Sequence, residues 1–160
     1  MGGMTVIVKT VARWLGAVIF VYGAYITLTG HLTPGGGFAG GVVLACSYIL
    51  LTLAFGSKFS LQRLSSIAAS RLDSTGALLF LIVALLGLGF GGLFFSNALQ
   101  QRYPGETFRL LSSGAIPIGN IAICIKVGAS LFVVFVIVSV LRVVATADGT
   151  NVLVQEEEEE

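Results

Sequence analysis

Charge is scarce in this chain. Asp, Glu, Lys and Arg together make up 11% of its 160 residues, against about 25% in an ordinary soluble domain. Hydrophobic residues make up 56%, and the mean hydropathy is +0.97. A fold in water needs a polar outer surface, and too few polar residues are present to build one. A soluble enzyme is thereby excluded and an integral membrane protein is expected. Lys and Arg number 9 against 8 Asp and Glu, so there is no basic field for nucleic acid. The single histidine, His31, argues against a histidine-built haem or zinc site. The two cysteines, Cys46 and Cys124, lie in apolar runs and read as small packing residues rather than a disulfide frame or a metal site. No nucleophile–base pair, carboxylate dyad or metal-ligand cluster stands out. Neither catalysis nor a cofactor is expected of this chain by itself.

Apolar sequence is what the chain has in abundance. Crossing a hydrocarbon core of about 30 Å at about 1.5 Å per residue takes about 20 residues. Four stretches qualify, 10–29, 38–55, 76–95 and 120–141. The expected fold is all-α: a bundle of four transmembrane helices within residues 1–145. Lys9 and Arg13 before the first apolar run resemble the start of a signal peptide, but no small-residue cleavage site follows, and an uncleaved first span is expected. Between the second and third spans, Leu61, Leu64, Ile67, Ala68 and Leu72 recur at steps of three and four, with Lys58, Arg63 and Arg71 between them. This pattern fits a short amphipathic helix lying at the membrane interface; the alternative is a plain tether. Lys9, Arg13, Lys58, Arg63, Arg71 and Arg142 fall on one side of the membrane and Arg102 and Arg109 on the other. That asymmetry puts both termini in the cytoplasm. Residues 146–160 close on the run Glu156 to Glu160 and are expected to form a disordered acidic cytoplasmic tail.

Two features carry candidate chemistry. Lys126 lies six residues into the fourth expected span, about 9 Å from its start by helical rise. Ionisable residues inside spans are costly, usually face protein or water, and often mark ion pathways. Against that stands snorkelling, in which the long lysine stem carries the ammonium to the interface. No other charged residue is expected deep in a span, so this chain cannot supply a complete relay alone. His31 and Asn120 join Lys126 as ion-path candidates, and Ser130 lies within bonding reach along the same helix.

The second feature is the segment from Gly30 to Gly41, containing Pro34, Gly35, Gly36, Gly37, Phe38, Gly40 and Gly41. Glycines after a proline let the backbone turn sharply, and Gly40 and Gly41 permit a neighbouring helix to touch. A glycine loop at a helix N-terminus also resembles an anion cradle. It lacks dinucleotide spacing and a P-loop lysine, so a tightly packed turn is the stronger reading. Small residues elsewhere, Ala12, Gly16 and Gly23 in the first span, Gly87 and Gly91 in the third and Gly128 in the fourth, suggest close helix contacts, some of them with other chains.

The run Gly30-His31, Pro34-Gly35-Gly36-Gly37-Phe38 and Gly40-Gly41 resembles the signature of the B subunit of multisubunit Na+/H+ antiporters, the MnhB/MrpB family, over roughly residues 5–145. The resemblance implies an accessory, non-catalytic subunit in a prokaryotic cell membrane, beside larger membrane subunits that move Na+ and H+. Kin of this family also occur in redox-driven complexes of the membrane-bound hydrogenase and sulfur reductase type. The expectation is such a subunit; a stand-alone antiporter subunit and a purely structural subunit are the alternatives. One departure stands out. Where the family's fourth span carries an aspartate before an apolar residue and glycine, this chain has Lys126-Val127-Gly128, with the charge reversed. That reversal favours a specialised complex.

Overall fold

The structure, a computed structural model, describes residues 4–56, 64–91, 93–105, 112–145 and 151–155. Four long helices dominate it: α1 (Val6–Thr29), α2 (Gly36–Phe55), α3 (Ser66–Gly91) and, after the short α4 (Ala98–Arg102), α5 (Ile116–Val140). Each long helix contains a segment long and apolar enough to cross a membrane. The expected four-span bundle is therefore what the chain forms, with several boundaries displaced.

α3 begins at Ser66, not at residue 76. The polar run from Ser70 to Thr75 reads as loop in sequence, yet it is helical. Its hydroxyls bond back along the helix: Ser74 Oγ donates to the Ser70 carbonyl at 3.1 Å and Thr75 Oγ1 to the Arg71 carbonyl at 2.7 Å. Ser65 caps the start, its hydroxyl accepting the Ala68 N–H at 3.2 Å. Ile67, Ala68 and Leu72 of the expected interfacial helix thus belong to the opening turns of α3. Lys58, Leu61 and Arg63 lie outside the described residues, as do Phe108 and Arg109 between the third and fourth spans. α5 begins at Ile116, not at residue 120, on a turn whose Ile116 N–H donates to the Ser113 carbonyl at 3.2 Å.

The C-terminal segment also departs from expectation. β1 (Leu141–Ala145) follows α5 directly and pairs antiparallel with β2 (Asn151–Gln155), from Leu141 opposite Gln155 to Ala145 opposite Asn151. Val143, Val144, Val152 and Val154 are β-branched and suit a pleated ribbon. The second strand lies within the acidic tail expected from 146 onward. Residues 146–150 and 156–160 lie outside the described residues.

Small residues fill the interior. Ala12, Ala45, Ala54, Ala69, Ala84, Ala122 and Ala129 are buried, and among the described residues Phe132 is the one large side chain fully enclosed. Large apolar side chains face outward instead, among them Trp14 and Val21 on α1 and Leu78 and Leu85 on α3. In lipid nothing drives leucine inward, and helices associate through close contact of small side chains. α2 packs on both α1 and α5, while α3 packs chiefly on α5. Phe132 of α5 meets Tyr48 of α2 edge-on at 6.0 Å and joins Ala69 of α3 and Val136 in one cluster. At one end of the bundle Lys9 and Arg13 of α1 both reach the ring of Phe55, at the end of α2, with 6.0 Å and 5.4 Å to its centroid.

Candidate functional site

The glycine segment forms the turn from α1 into α2. Thr29 anchors it, its carbonyl accepting from Leu32 N–H at 2.8 Å and Thr33 N–H at 2.9 Å. Gly35 (φ 139°) and Gly36 (φ 74°) then hold backbone conformations that side chains disfavour, and α2 starts from there. The next glycines serve close approach. A β-carbon on Gly37 would overlap the Asn120 carbonyl of α5, and one on Gly40 would overlap the Thr27 hydroxyl of α1. One on Gly41 would stand 2.8 Å from the Cys124 carbonyl of α5. Gly37 meets Asn120, Gly41 meets Cys124 and Tyr48 meets Phe132, so α2 and α5 run parallel in constant register. Thr27 donates to the Gly23 carbonyl of its own helix at 2.9 Å and ties α1 to α5, its hydroxyl lying 3.1 Å from Cys124 Sγ. Much of the small-residue surface assigned from sequence to other chains is used inside this one. Gly16 lies against Leu51, Gly23 against Leu44 and the Gly40 carbonyl, Gly87 against Ser96, and Gly128 against Gly41.

Asn120 belongs to this turn. Its side chain lies over Gly30 and Gly36, and its Nδ2 is buried with no hydrogen-bond partner among the described residues. His31, in the same turn, is half-buried. Lys126 stands about 9 Å further along α5 by helical rise, so the three ion-path candidates do not form one cluster.

What Lys126 meets is Asp73. The Lys126 ammonium lies 2.7 Å from Asp73 Oδ1, and the Ser130 hydroxyl donates to the same oxygen at 2.5 Å. Asp73 sits seven residues into α3, inside a segment long and apolar enough to cross the membrane. Lys126 was expected to be the one charge deep in a span; α3 starts ten residues earlier than expected and brings Asp73 into a candidate span as well. The depth of Lys126 changes too. It is ten residues from Ile116, about 15 Å from one end of α5 and about 21 Å from the other. At that depth the ammonium is paired with Asp73.

Sequence reasoning missed Asp73 and assigned Ser130 only a general bonding role. A usable signal was present. Of the acids, all but Asp73, Glu106 and Asp148 are in the terminal run, so a lysine within a span had one carboxylate within an apolar neighbourhood to pair with. Asp73, Gly76, Phe80, Val83 and Gly87 also recur at steps of three and four, a single stripe continuing across the assumed boundary.

That stripe faces α5 in antiparallel register. A β-carbon on Gly76 would come 2.7 Å from the Lys126 backbone nitrogen and 2.8 Å from the Ala122 carbonyl oxygen. Gly76 thus brings the two backbones together beside the ion pair. Beyond it the seam widens into a cavity of about 170 Å³, whose lining includes Phe80, Val83, Phe95, Asn97, Gly119 and Asn120. A strap turning back from the end of α3 closes it. Phe95 (φ 64°) donates its N–H to the Ala84 carbonyl at 3.3 Å and stacks on Phe80 at 5.3 Å; Ser96 Oγ donates to the Gly87 carbonyl at 2.9 Å. Asn97 fixes the strap, bonding Ser113, Ala115 and Gln100 through its side chain. Among the described residues no three His, Cys, Asp or Glu side chains come together as a metal cluster would require.

Known proteins are similar to this chain. A domain described as related to the MnhB subunit of Na+/H+ antiporter matches residues 7–146. The proteins named as antiporter subunit mnhB2 are similar: that of Staphylococcus epidermidis is 32% identical over 85% of this chain and 91% of its own length, and that of Staphylococcus aureus 33% identical over the same shares. An uncharacterized protein of Methanocaldococcus jannaschii is 34% identical over 81% of this chain, which spans only 50% of that relative's length. Among solved structures, a chain of the membrane-bound sulfane sulfur reductase, an archaeal respiratory membrane complex, superposes with a TM-score of 0.68 at 33% identity, covering 82% of this chain and 56% of that one.

Proposed function

The chain belongs to the MnhB family of Na+/H+ antiporter subunits, and we propose that it is an accessory subunit of an antiporter module in a redox-driven respiratory membrane complex, to which it contributes the Lys126–Asp73 pair as a titrating element. One observation carries this reading: an ammonium, a carboxylate and a hydroxyl meet within 2.7 Å inside two apolar spans. Ionisable groups are kept in spans at a cost of about 2.5–3.5 kcal/mol each at a helix centre, and they mark ion and proton pathways. The family resemblance leads one to look for a carboxylate at position 126. Here the carboxylate stands across the seam, on α3, and the lysine occupies α5. The pair can exist as ammonium and carboxylate or, after one proton passes from Lys126 to Asp73, as two neutral groups. A neighbouring charge that moves during ion transport biases that choice. Na+ and H+ would be the ions of the whole complex, and the chain's own share is proton exchange at the pair. The glycine turn, with His31 and Asn120, holds α1, α2 and α5 together around it.

The likeness to a chain of an archaeal respiratory complex supports the redox-driven setting. The staphylococcal relatives, matched over 91% of their length, support the second reading, a stand-alone antiporter. Lys9, Arg13 and Phe55 gather at one end of the bundle, in keeping with a cytoplasmic N-terminus. The test is ion transport by the assembled complex in proteoliposomes, comparing wild type with Lys126→Met and Asp73→Asn. A loss of coupling of about tenfold or more, equivalent to about 1.4 kcal/mol, is expected for each. Unchanged coupling in a normally assembled complex removes the titrating role and leaves a structural subunit. Mass spectrometry of co-purifying chains separates the two settings. Iron–sulfur or [NiFe] proteins mark the redox-driven complex, and antiporter subunits alone mark the exchanger.

A further inference from the structure

The Lys126–Asp73 pair is only partly enclosed. The Lys126 side chain is 46% exposed and that of Asp73 33%. Both groups also keep unused bonding capacity. Of the three ammonium hydrogens, Asp73 Oδ1 takes one, and the same oxygen accepts from Ser130. Lipid tails offer no partner for the remaining hydrogens. The Ser74 and Thr75 hydroxyls donate along their own helix, and among the described residues neither accepts from Lys126. On α5 the flanking surface is apolar, with Val134 and Ile137 exposed, while α3 exposes Leu72 beside Ser70, Arg71, Ser74 and Thr75. A half-open ion pair beside exposed apolar side chains of a span is a point that another transmembrane helix covers.

The chemistry of the point selects the occupant. The more exposed member is the cation, while the anion already accepts from two donors. A second cation would be repelled by Lys126, whereas a carboxylate would take its free hydrogens in charge-assisted bonds. We infer that the α3–α5 face docks a transmembrane helix of another subunit, and that this helix places an Asp or Glu side chain against Lys126. The inference rests on the reading of the chain as one subunit of a larger membrane complex. In the docked state one ammonium serves two carboxylates, one from each subunit, so proton exchange at the pair is shared across the interface.

The experiment uses the complex purified in mild detergent. A membrane-permeant carbodiimide converts an ammonium–carboxylate contact into an amide, and peptide mass spectrometry identifies the partner. In a separate sample, benzoylphenylalanine replaces Ile137, which lies three turns along α5 on the face of Lys126, and is photoactivated. The expected result is an amide between Lys126 and an Asp or Glu within a span of another subunit, reduced at least tenfold in Lys126→Met, with the Ile137 probe labelling that same span. An amide to Asp73 alone overturns the inference, as does labelling only of lipid at position 137. Neither readout depends on whether the pair titrates, so docking can hold while Lys126→Met transports normally. A chain that purifies alone overturns membership of the complex and the docked helix together.

Discussion

Replacing Gly76 by alanine probes the α3–α5 seam most directly. The added β-carbon would stand 2.7 Å from the Lys126 nitrogen and 2.8 Å from the Ala122 oxygen, where ordinary contact begins at 3.4 Å. Both obstacles are backbone and cannot rotate away, so α3 must withdraw by about 0.7 Å. The Lys126–Asp73 distance of 2.7 Å then leaves the range of about 2.7–2.9 Å typical of charge-assisted bonds. Overpacking costs about 1–3 kcal/mol and loss of a hydrogen bond to a charged group about 1.5–3 kcal/mol. Alanine returns at most about 1 kcal/mol of helix propensity. The net loss is about 3 kcal/mol, or about a hundredfold in the ratio of folded to unfolded subunit. Gly89 on the same helix is the control, because a β-carbon there meets nothing within 4 Å. Denaturant titration of the subunit in detergent should show Gly76→Ala destabilised and Gly89→Ala unchanged or more stable. If the two variants denature alike, the close contact at Gly76 does not hold the seam and the reasoning is refuted.

Two further outcomes follow from the other contacts. Gly40→Val drives a branched side chain into the Thr27 hydroxyl and the Gly23 carbonyl, so pull-down of partner subunits should fall at least tenfold, whereas Gly56→Ala, facing open space, should retain most of the assembly despite backbone strain at φ 93°. Asn97→Ala removes the side-chain bonds that hold the strap, a loss of about 2 kcal/mol from the unpaired groups left behind; protease added to the subunit in detergent should cut between residues 93 and 115 faster than in wild type, with α1 and α2 intact.

The spans were legible in the sequence because lipid imposes a length and a polarity that few residues violate. The glycine turn was legible too, since Pro34 and the following glycines leave no ordinary helical path. The ion pair was not. Its partners are 53 residues apart, and no local pattern couples α3 to α5. Asp73 was hidden by its neighbours: Ser70, Arg71, Ser74 and Thr75 look like loop residues until their hydroxyls are seen bonding to the preceding turn. The small-residue faces were visible, but not whom they face. A glycine stripe fits a helix of the same chain as well as a foreign one, and only the fold shows that Gly16, Gly23 and Gly128 are occupied internally. The paired strand at 151–155 was masked by the glutamate run beside it.

The parallel pairing of α2 with α5 also dictates an order of events during synthesis. Gly41 must wait for Cys124, 83 residues further along the chain. At about 5–20 residues per second, that interval lasts about 4–17 s. Meanwhile the α1–α2 hairpin can close on its own, through Gly23 against Leu44 and the 2.8 Å bond from Ser47 Oγ to the Gly16 carbonyl. Its other glycine face stays uncovered until the last span arrives. The nascent hairpin is therefore a half-finished groove with a reserved place, and whatever shields that groove in the interval, lipid or insertion machinery, must leave again for α5 to enter.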